Sequence, residues 1–229
     1  MMSEKTLGQT LIGAVTEAIE HEGAGKIVRR KVDIVQLGDP ILRQVAREVD
    51  RNKITSKEIR DLIESMKETM RAAPGVGLAA PQIGVSLQIA VIEDCEERMV
   101  GMLPEIRSER GRNPIQFHVI INPKLTVTKY EQAFFFEACL SVNGCSRITP
   151  RAREVMVECL DENGNERTIN ASGWYARILQ HEIDHLCGKL YIDVSDKKTE
   201  ILIDETNRKK WLNATSVEIA AFFKSQAGE

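Results

Sequence analysis

The sequence predicts an α+β protein, with mostly antiparallel sheets around one buried helix. Three observations predict it. From residue 116 onward, β-prone runs follow one another at 116–121, 124–129, 131–136, 153–160 and 166–170. Strands that succeed one another across short turns pair antiparallel. Residues 172–187 carry Ile178, Leu179, Ile183 and Leu186 at helical spacing, so that helix is largely buried. Finally, 229 residues, 42% of them hydrophobic, suffice for one sizeable core.

The elements follow in order. Leu7, Leu11, Ile12, Val15 and Ile19 predict an amphipathic helix over 4–22, ended by Glu22-Gly23-Ala24-Gly25. A short strand is expected around Ile27–Leu37. Asp39 as N-cap and Pro40 at the first helical position then start a helix running to about Val49. Thr55 and Glu58 form a capping box for a helix ending near Ala73, with Ile59, Leu62, Ile63, Met66 and Met70 on its core face. Leu87–Glu93 is the next strand, and the charged segment 94–114 reads as an exposed insertion. Asp161-Glu162-Asn163-Gly164 joins the last two strands as a hairpin, because Asn-Gly tolerates the positive φ such a turn needs. Ser172 caps the buried helix and Gly188 stops it. Thr215 and Glu218 cap a last helix over 216–226, after a basic solvated turn at Arg208-Lys209-Lys210.

Composition excludes several classes. No run approaches eighteen apolar residues, so no membrane-spanning helix is expected. The net charge of −3 argues against a dedicated nucleic-acid binder. Five cysteines, an odd number without a CxxC pair, suit a reducing compartment better than a disulfide framework. Cys95, Cys145, Cys159 and Cys187 read as small apolar fillers. Residues 1–24 contain Glu4, Glu17, Glu20 and Glu22, which fits neither a secretory signal nor an acid-poor transit peptide.

The chemistry gathers on the buried helix. His181-Glu182-Ile183-Asp184-His185 matches H-E-x-x-H. Residues four apart on a helix lie about 40° apart in projection, so both imidazoles share a face and form two legs of a metal site. Glu182 lies beside them. A zinc peptidase would take its third ligand downstream, where no histidine remains; Glu200, Asp204, Glu205 and Glu218 are carboxylates there. Upstream, Phe136-Glu137-Ala138-Cys139-Leu140-Ser141 offers a thiolate at a strand end. Asp184 either orients a histidine or pairs with an arginine, and His21 and His118 read as structural.

At this point the chain resembles the peptide deformylases, whose three motifs are G-hydrophobic-G-hydrophobic-A-A-x-Q, E-G-C-x-S and Q-H-E-x-D-H. The corresponding stretches are GVGLAAPQ at 75–82, EACLS at 137–141 and QHEIDH at 180–185. Ala171–Arg177 and the 94–114 insertion resemble the eukaryotic organellar branch more than the common bacterial enzymes. The resemblance implies a catalytic domain over 32–195, an N-terminal helical extension over 1–31 and a C-terminal tail with a helix over 196–229.

It also implies roles. Cys139, His181 and His185 would hold one divalent metal, Fe2+ natively with Zn2+ as the alternative. Glu182 would move the proton, and the Gln82 amide with the Leu140 backbone N–H would stabilise the oxyanion. Gly75, Val76 and Gly77 would let a substrate chain lie alongside in extended form. On helical projection Trp174, Ile178, His181 and His185 share one face, so Trp174 and Ile178 are expected to wall an apolar pocket for the methionine side chain. Ala138 departs from the family's glycine, which introduces strain if the backbone there needs positive φ or close approach and is mild if φ is negative.

The expected function is removal of the formyl group from N-terminal formyl-methionine of nascent polypeptides in the cytoplasm, or alternatively in an organellar matrix. A transient ribosome contact through the basic turn is a further expectation, with no membrane and no direct nucleic-acid partner. The rival readings are a HExxH metallopeptidase and a non-catalytic homologue that binds formylated peptide or ribosome.

Overall fold

The computed structural model describes residues 31–227. The helix expected over 4–22, His21 and nearly all of the 1–31 extension lie outside the described residues. Six strands form one antiparallel sheet: β1 (Gly77–Ala79), β2 (Ile89–Asp94), β3 (Ile115–Cys139), β4 (Val142–Leu160) and β5 (Glu166–Ser172) pair in sequence order, and β6 (Ile201–Leu202) pairs with β4. Helix α1 (Lys57–Ala72) precedes the sheet and α2 (Pro104–Glu109) interrupts it. After β5 come α3 (Gly173–Leu186) and a single turn α4 (Tyr191–Val194), and after β6 come α5 (Glu205–Leu212) and α6 (Ser216–Ala227). No helix among the described residues is long and apolar enough to cross a membrane.

The alternation of strand side chains places the two main helices on opposite faces of the sheet. Ile89 and Val91 of β2 join one core cluster with Ile59, Leu62, Ile63, Met66 and Met70 of α1. Their neighbours Ala90 and Ile92 join the other, with Ile178, Leu179 and Leu186 of α3. Burying such a side chain stabilises the fold by roughly 1.5–3 kcal/mol, so both helices are held chiefly by their apolar faces.

Several expectations need correction. The three runs 116–121, 124–129 and 131–136 are one strand, β3, whose pairing with β4 shifts register at Ile121/Lys124, Val127/Lys129 and Lys129/Gln132. What reads as turns between strands are β-bulges. The helix expected from Asp39 to Val49 stops after one 3-10 turn, Pro40–Arg43. The chain beyond it pairs elsewhere: Ala46 N–H donates to Leu186 O, and Arg47 bridges Leu87. No strand forms at 31–37, although Val35 and Leu37 donate backbone bonds to Gln82 O and Ser141 O. Helix α1 is capped by Ser56 rather than Thr55, its hydroxyl accepting from Ile59 N–H.

The segment 94–114 is not simply an exposed insertion. Met99, Met102 and Ile106 are buried, and Asp94 is buried beneath a two-bond pair with Arg112. This segment carries the C-terminal one. Leu103 N–H and Gly101 O bond the Asn213 amide, and Arg110 donates to Trp211 O and Ala214 O, each at 2.9 Å. Arg208-Lys209-Lys210, expected as a basic solvated turn, are exposed but lie in a helix, α5, whose Trp211 is buried against Phe136 at 4.6 Å between ring centroids. The Thr215–Glu218 capping box and the hairpin at Asp161–Gly164 are both present, with Gly164 at φ 82°. Cys187 is exposed, so it fills no core.

Candidate metal centre

Cys139 ends β3, and His181 and His185 lie one turn apart on α3, which packs across the sheet. One donor atom from each lies within 4.8 Å of the others. The Cys139 Sγ is 3.3 Å from His185 Nε2. Among the described residues this is the one group of three or more Cys, His or acidic side chains that could hold a metal ion. Two buried polar atoms beside it, Glu182 Oε2 and His185 Nδ1, have no hydrogen-bond partner.

Glu137 orients the first histidine. Its carboxylate accepts from His181 Nδ1 at 3.0 Å, from Arg151 Nε and Nη2 at 3.0 Å each, and from Arg177 Nη1 at 2.6 Å. Such a carboxylate fixes ring orientation and turns the other nitrogen toward a metal. Burial alone would raise the Glu137 pKa, but Arg151 and Arg177 outweigh it and hold the group well below the ordinary carboxylate range. Burial opposes protonation of His181, yet its bonds with Cys139 and Glu137 prevail and push its pKa well up. Burial, reinforced by His181, pushes His185 well down. Asp184, left open by the sequence, pairs with Arg151.

Glu182 is buried against the glycine motif. A Cβ on Gly77 would stand 2.2 Å from Glu182 Oε1, and one on Gly75 would stand 2.7 Å from Leu140 Cδ1. The glycines therefore make room for two of the chain's own side chains, a reason the sequence does not reveal. Burial raises the Glu182 pKa to about 7. Gln82 is oriented by its own carbonyl, which accepts from Ala79 N–H at 2.9 Å. Its Nε2 is thereby turned toward Cys139 Sγ at 3.5 Å and Ser141 Oγ at 3.3 Å.

A cleft of about 540 Å³ opens over these groups. It is lined by Gly75, Val76, Gly77, Gln82, Cys139, Leu140, Trp174, Ile178, His181 and Glu182, so all the sequence-derived site residues except His185 border it. Trp174 packs edge-on against Phe135, with the Arg112 and Arg177 guanidiniums over its ring at 5.1 and 5.8 Å. His118 is remote from the centre and bonds Tyr175 Oη at 2.8 Å. Sequence reasoning missed the Arg151–Glu137–Arg177 cluster. The signal for Arg177 was its position four residues before His181, on the same helix face. It also missed the cleft wall formed by Ile201, Leu202, Ile203, Asn207, Arg208 and Trp211.

Fold and site together define a class: an α+β protein with a largely buried sulfur–imidazole–imidazole donor set, a carboxylate beside it and an amide facing the sulfur. The polypeptide deformylase family model matches residues 31–200. The chain belongs to that family. It is 47% identical over 167 residues to peptide deformylase 1A, chloroplastic, of Solanum lycopersicum, covering 73% of this chain but 60% of that relative. The chain thus spans somewhat less than two thirds of that relative's own length. It is 40% identical to the human mitochondrial peptide deformylase, covering 72% of this chain and 68% of the relative. The Met-Ala-Ser-bound crystal structure of the class I type b peptide deformylase from Acinetobacter baumannii superposes with a TM-score of 0.65 at 28% identity, covering 73% of this chain and 99% of that one.

Proposed function

We propose that this chain is a peptide deformylase, hydrolysing the formyl group from the N-terminal formyl-methionine of new polypeptides and releasing formate. The observation that carries the reading is the convergence of Cys139, His181 and His185 within 4.8 Å at a cleft also lined by Glu182 and Gln82. A thiolate with two imidazoles suits Fe2+ or Zn2+. The buried, unpartnered Glu182 Oε2 beside them fits a site built around a further group. We assign Fe2+ as the native ion, with Zn2+ as the alternative. Cys139, His181 and His185 would hold the ion, which would supply Lewis-acid polarisation of the formyl carbonyl.

The chain's own residues do the rest. Val76 and the flanking glycines border the cleft where an extended peptide can lie. Glu182 accepts the proton of the attacking water and delivers it to the departing amine nitrogen. The Gln82 Nε2 amide and the Leu140 N–H donate to the oxygen that becomes anionic, each such donor being worth ~3 kcal/mol. The catalytic domain is 32–195, and residues between Ile201 and Trp211 of the 196–229 tail line one side of its cleft. The organellar names of the tomato and human relatives make an organellar matrix the alternative to the cytoplasm as the place of reaction.

The test is anaerobic turnover of formyl-Met peptides with parallel metal analysis. The expected result is formate release with one metal per chain. Cys139→Ala should abolish stoichiometric metal and turnover together; a fully loaded variant would remove Cys139 from the ligand set.

Two substitutions probe the cleft. Ala138 is exposed, and Asn122 is the only non-glycine with positive φ among the described residues. Ala138 therefore sits in ordinary backbone, and Ala138→Gly should shift stability by no more than about 1 kcal/mol. Its kcat/KM should stay within a few-fold of the parent. Trp174→Ala should widen the apolar pocket and change the preference among formyl-Met, formyl-Leu and formyl-Ala peptides. A change of about 1–3 kcal/mol, or ten- to a few-hundred-fold in kcat/KM ratios, is the expected scale. An unaltered rank order and spacing in a folded, metal-loaded variant would place Trp174 outside the pocket.

A further inference from the structure

The C-terminal wall of the cleft lies past residues 31–200, the span matched by the family model, so its chemistry belongs to this chain's own tail. That wall is firmly seated. Strand β6 pairs with β4 through Ile201 and Leu202, and Ile203 N–H donates to Gly144 O at 2.9 Å. Asp204 caps α5 by accepting from Asn207 N–H at 2.7 Å, and Trp211 anchors its far end in the core. Arg208 lies one turn before Trp211 and, like it, borders the cleft.

The acidic residues nearest Arg208 in sequence are engaged with other groups, Asp204 as the cap of α5. Glu205 pairs with Lys209 at 2.7 Å and Glu200 with Arg147 at 2.6 Å. Deeper in the cleft Glu137 is compensated by Arg151 and Arg177, while Glu182 is buried. Among the described residues no carboxylate lies within ion-pair distance of Arg208, which is exposed. It is the solvent-facing charge of the cleft lining, and its sign is positive.

A formylated peptide has no cationic amino terminus, because the amide caps it. Beyond the formyl-methionine, the charges such a chain presents are those of its side chains and, in a short peptide, its terminal carboxylate. A guanidinium offers a planar fork that matches a carboxylate. We propose that Arg208 is a specificity determinant that selects formylated chains bearing an acidic side chain within the first few residues after the methionine. The inference rests on the deformylase reading and names the substrate class of the same cleft.

The experiment uses the full-length, metal-loaded protein and formyl-Met peptides with amidated C-termini, in which Asp or its uncharged isostere Asn is placed at the second, third or fourth residue. Amidation removes the terminal carboxylate; a parallel free-acid series shows whether Arg208 reads that group instead. The readout is the Asp-to-Asn ratio of kcat/KM within each protein, in which any partial loss of folded enzyme cancels. The wild type should favour Asp by about two- to five-fold at one or more positions, the range of an exposed ion pair, and less at high salt. The ratio should fall to one in Arg208→Ala, remain above one in Arg208→Lys, and drop below one in Arg208→Glu, which should favour Lys-bearing peptides. Equal ratios in the wild type and all three variants would overturn the assignment, as would a preference confined to the free-acid series. Absence of hydrolysis of every peptide, the uncharged ones included, would instead overturn the deformylase reading, and the assignment with it.

Discussion

Glu182→Gln is expected to lower kcat by about 10²–10⁴-fold, the usual contribution of a positioned proton acceptor, while metal content stays at one per chain. The amide has nearly the shape of the carboxylate, so it keeps the packing against Gly77, but it cannot take up a proton. Burial raises the carboxylate's pKa, which makes it a better proton acceptor than a free carboxylate. Single-turnover formate release from a metal-replete variant measures the effect. Near-normal turnover would take Glu182 out of the mechanism, whereas parallel loss of metal would make it a packing residue.

Arg177→Ala should be the most destabilising of the substitutions considered. Arg177 donates to Glu137 Oε1, Thr149 O and Ala133 O from within the core. Removing it takes a donor from two carbonyls and leaves the buried Glu137 with one guanidinium in place of two. Breaking such a buried pair costs about 3–5 kcal/mol, to be read as a lower denaturant midpoint at constant m. With Glu137 held by Arg151 alone, the orientation of His181 should loosen and metal affinity weaken, by up to about 10–100-fold if the Glu137–His181 bond is lost. A midpoint unchanged from the parent would show that Arg151 alone neutralises Glu137.

The donor set was legible because it depends on local geometry. Four-residue spacing on a helix puts His181 and His185 on one face whatever surrounds them, and the apolar positions of 172–187 bury that face. Cys139 stood out as a sulfur ligand at a strand end, but its meeting with these two histidines was reachable only through the resemblance of EACLS to a known motif, since nothing in a strand's own periodicity says which helix it will meet. The same limit explains the cluster on Glu137. Its partners Arg151 and Arg177 lie fourteen and forty residues away, and their convergence depends on how β4 and α3 pack. Strand boundaries failed in a different way. The breaks read around residues 122–130 are real irregularities of pairing, but bulges leave a strand continuous. The 39–49 region shows tertiary contacts overriding a sound helix start, for its cap is present and its continuation is not.

The bonds that radiate from Glu137 tie together β3, which carries it, β4 through Arg151 and α3 through Arg177 and His181. An ion held by Cys139 and the two histidines would span the β3 and α3 parts of that knot. Partial opening that peels α3 from the sheet must therefore break the ion pairs and separate the ligands in one event. Ligand occupancy and intact packing then form a single equilibrium, in which an ion present at a hundred times its dissociation constant withholds ~2.7 kcal/mol from the opened form. Such a molecule would report its own integrity: a chain that had loaded an ion would have docked this helix, and one that had slipped open would hold none.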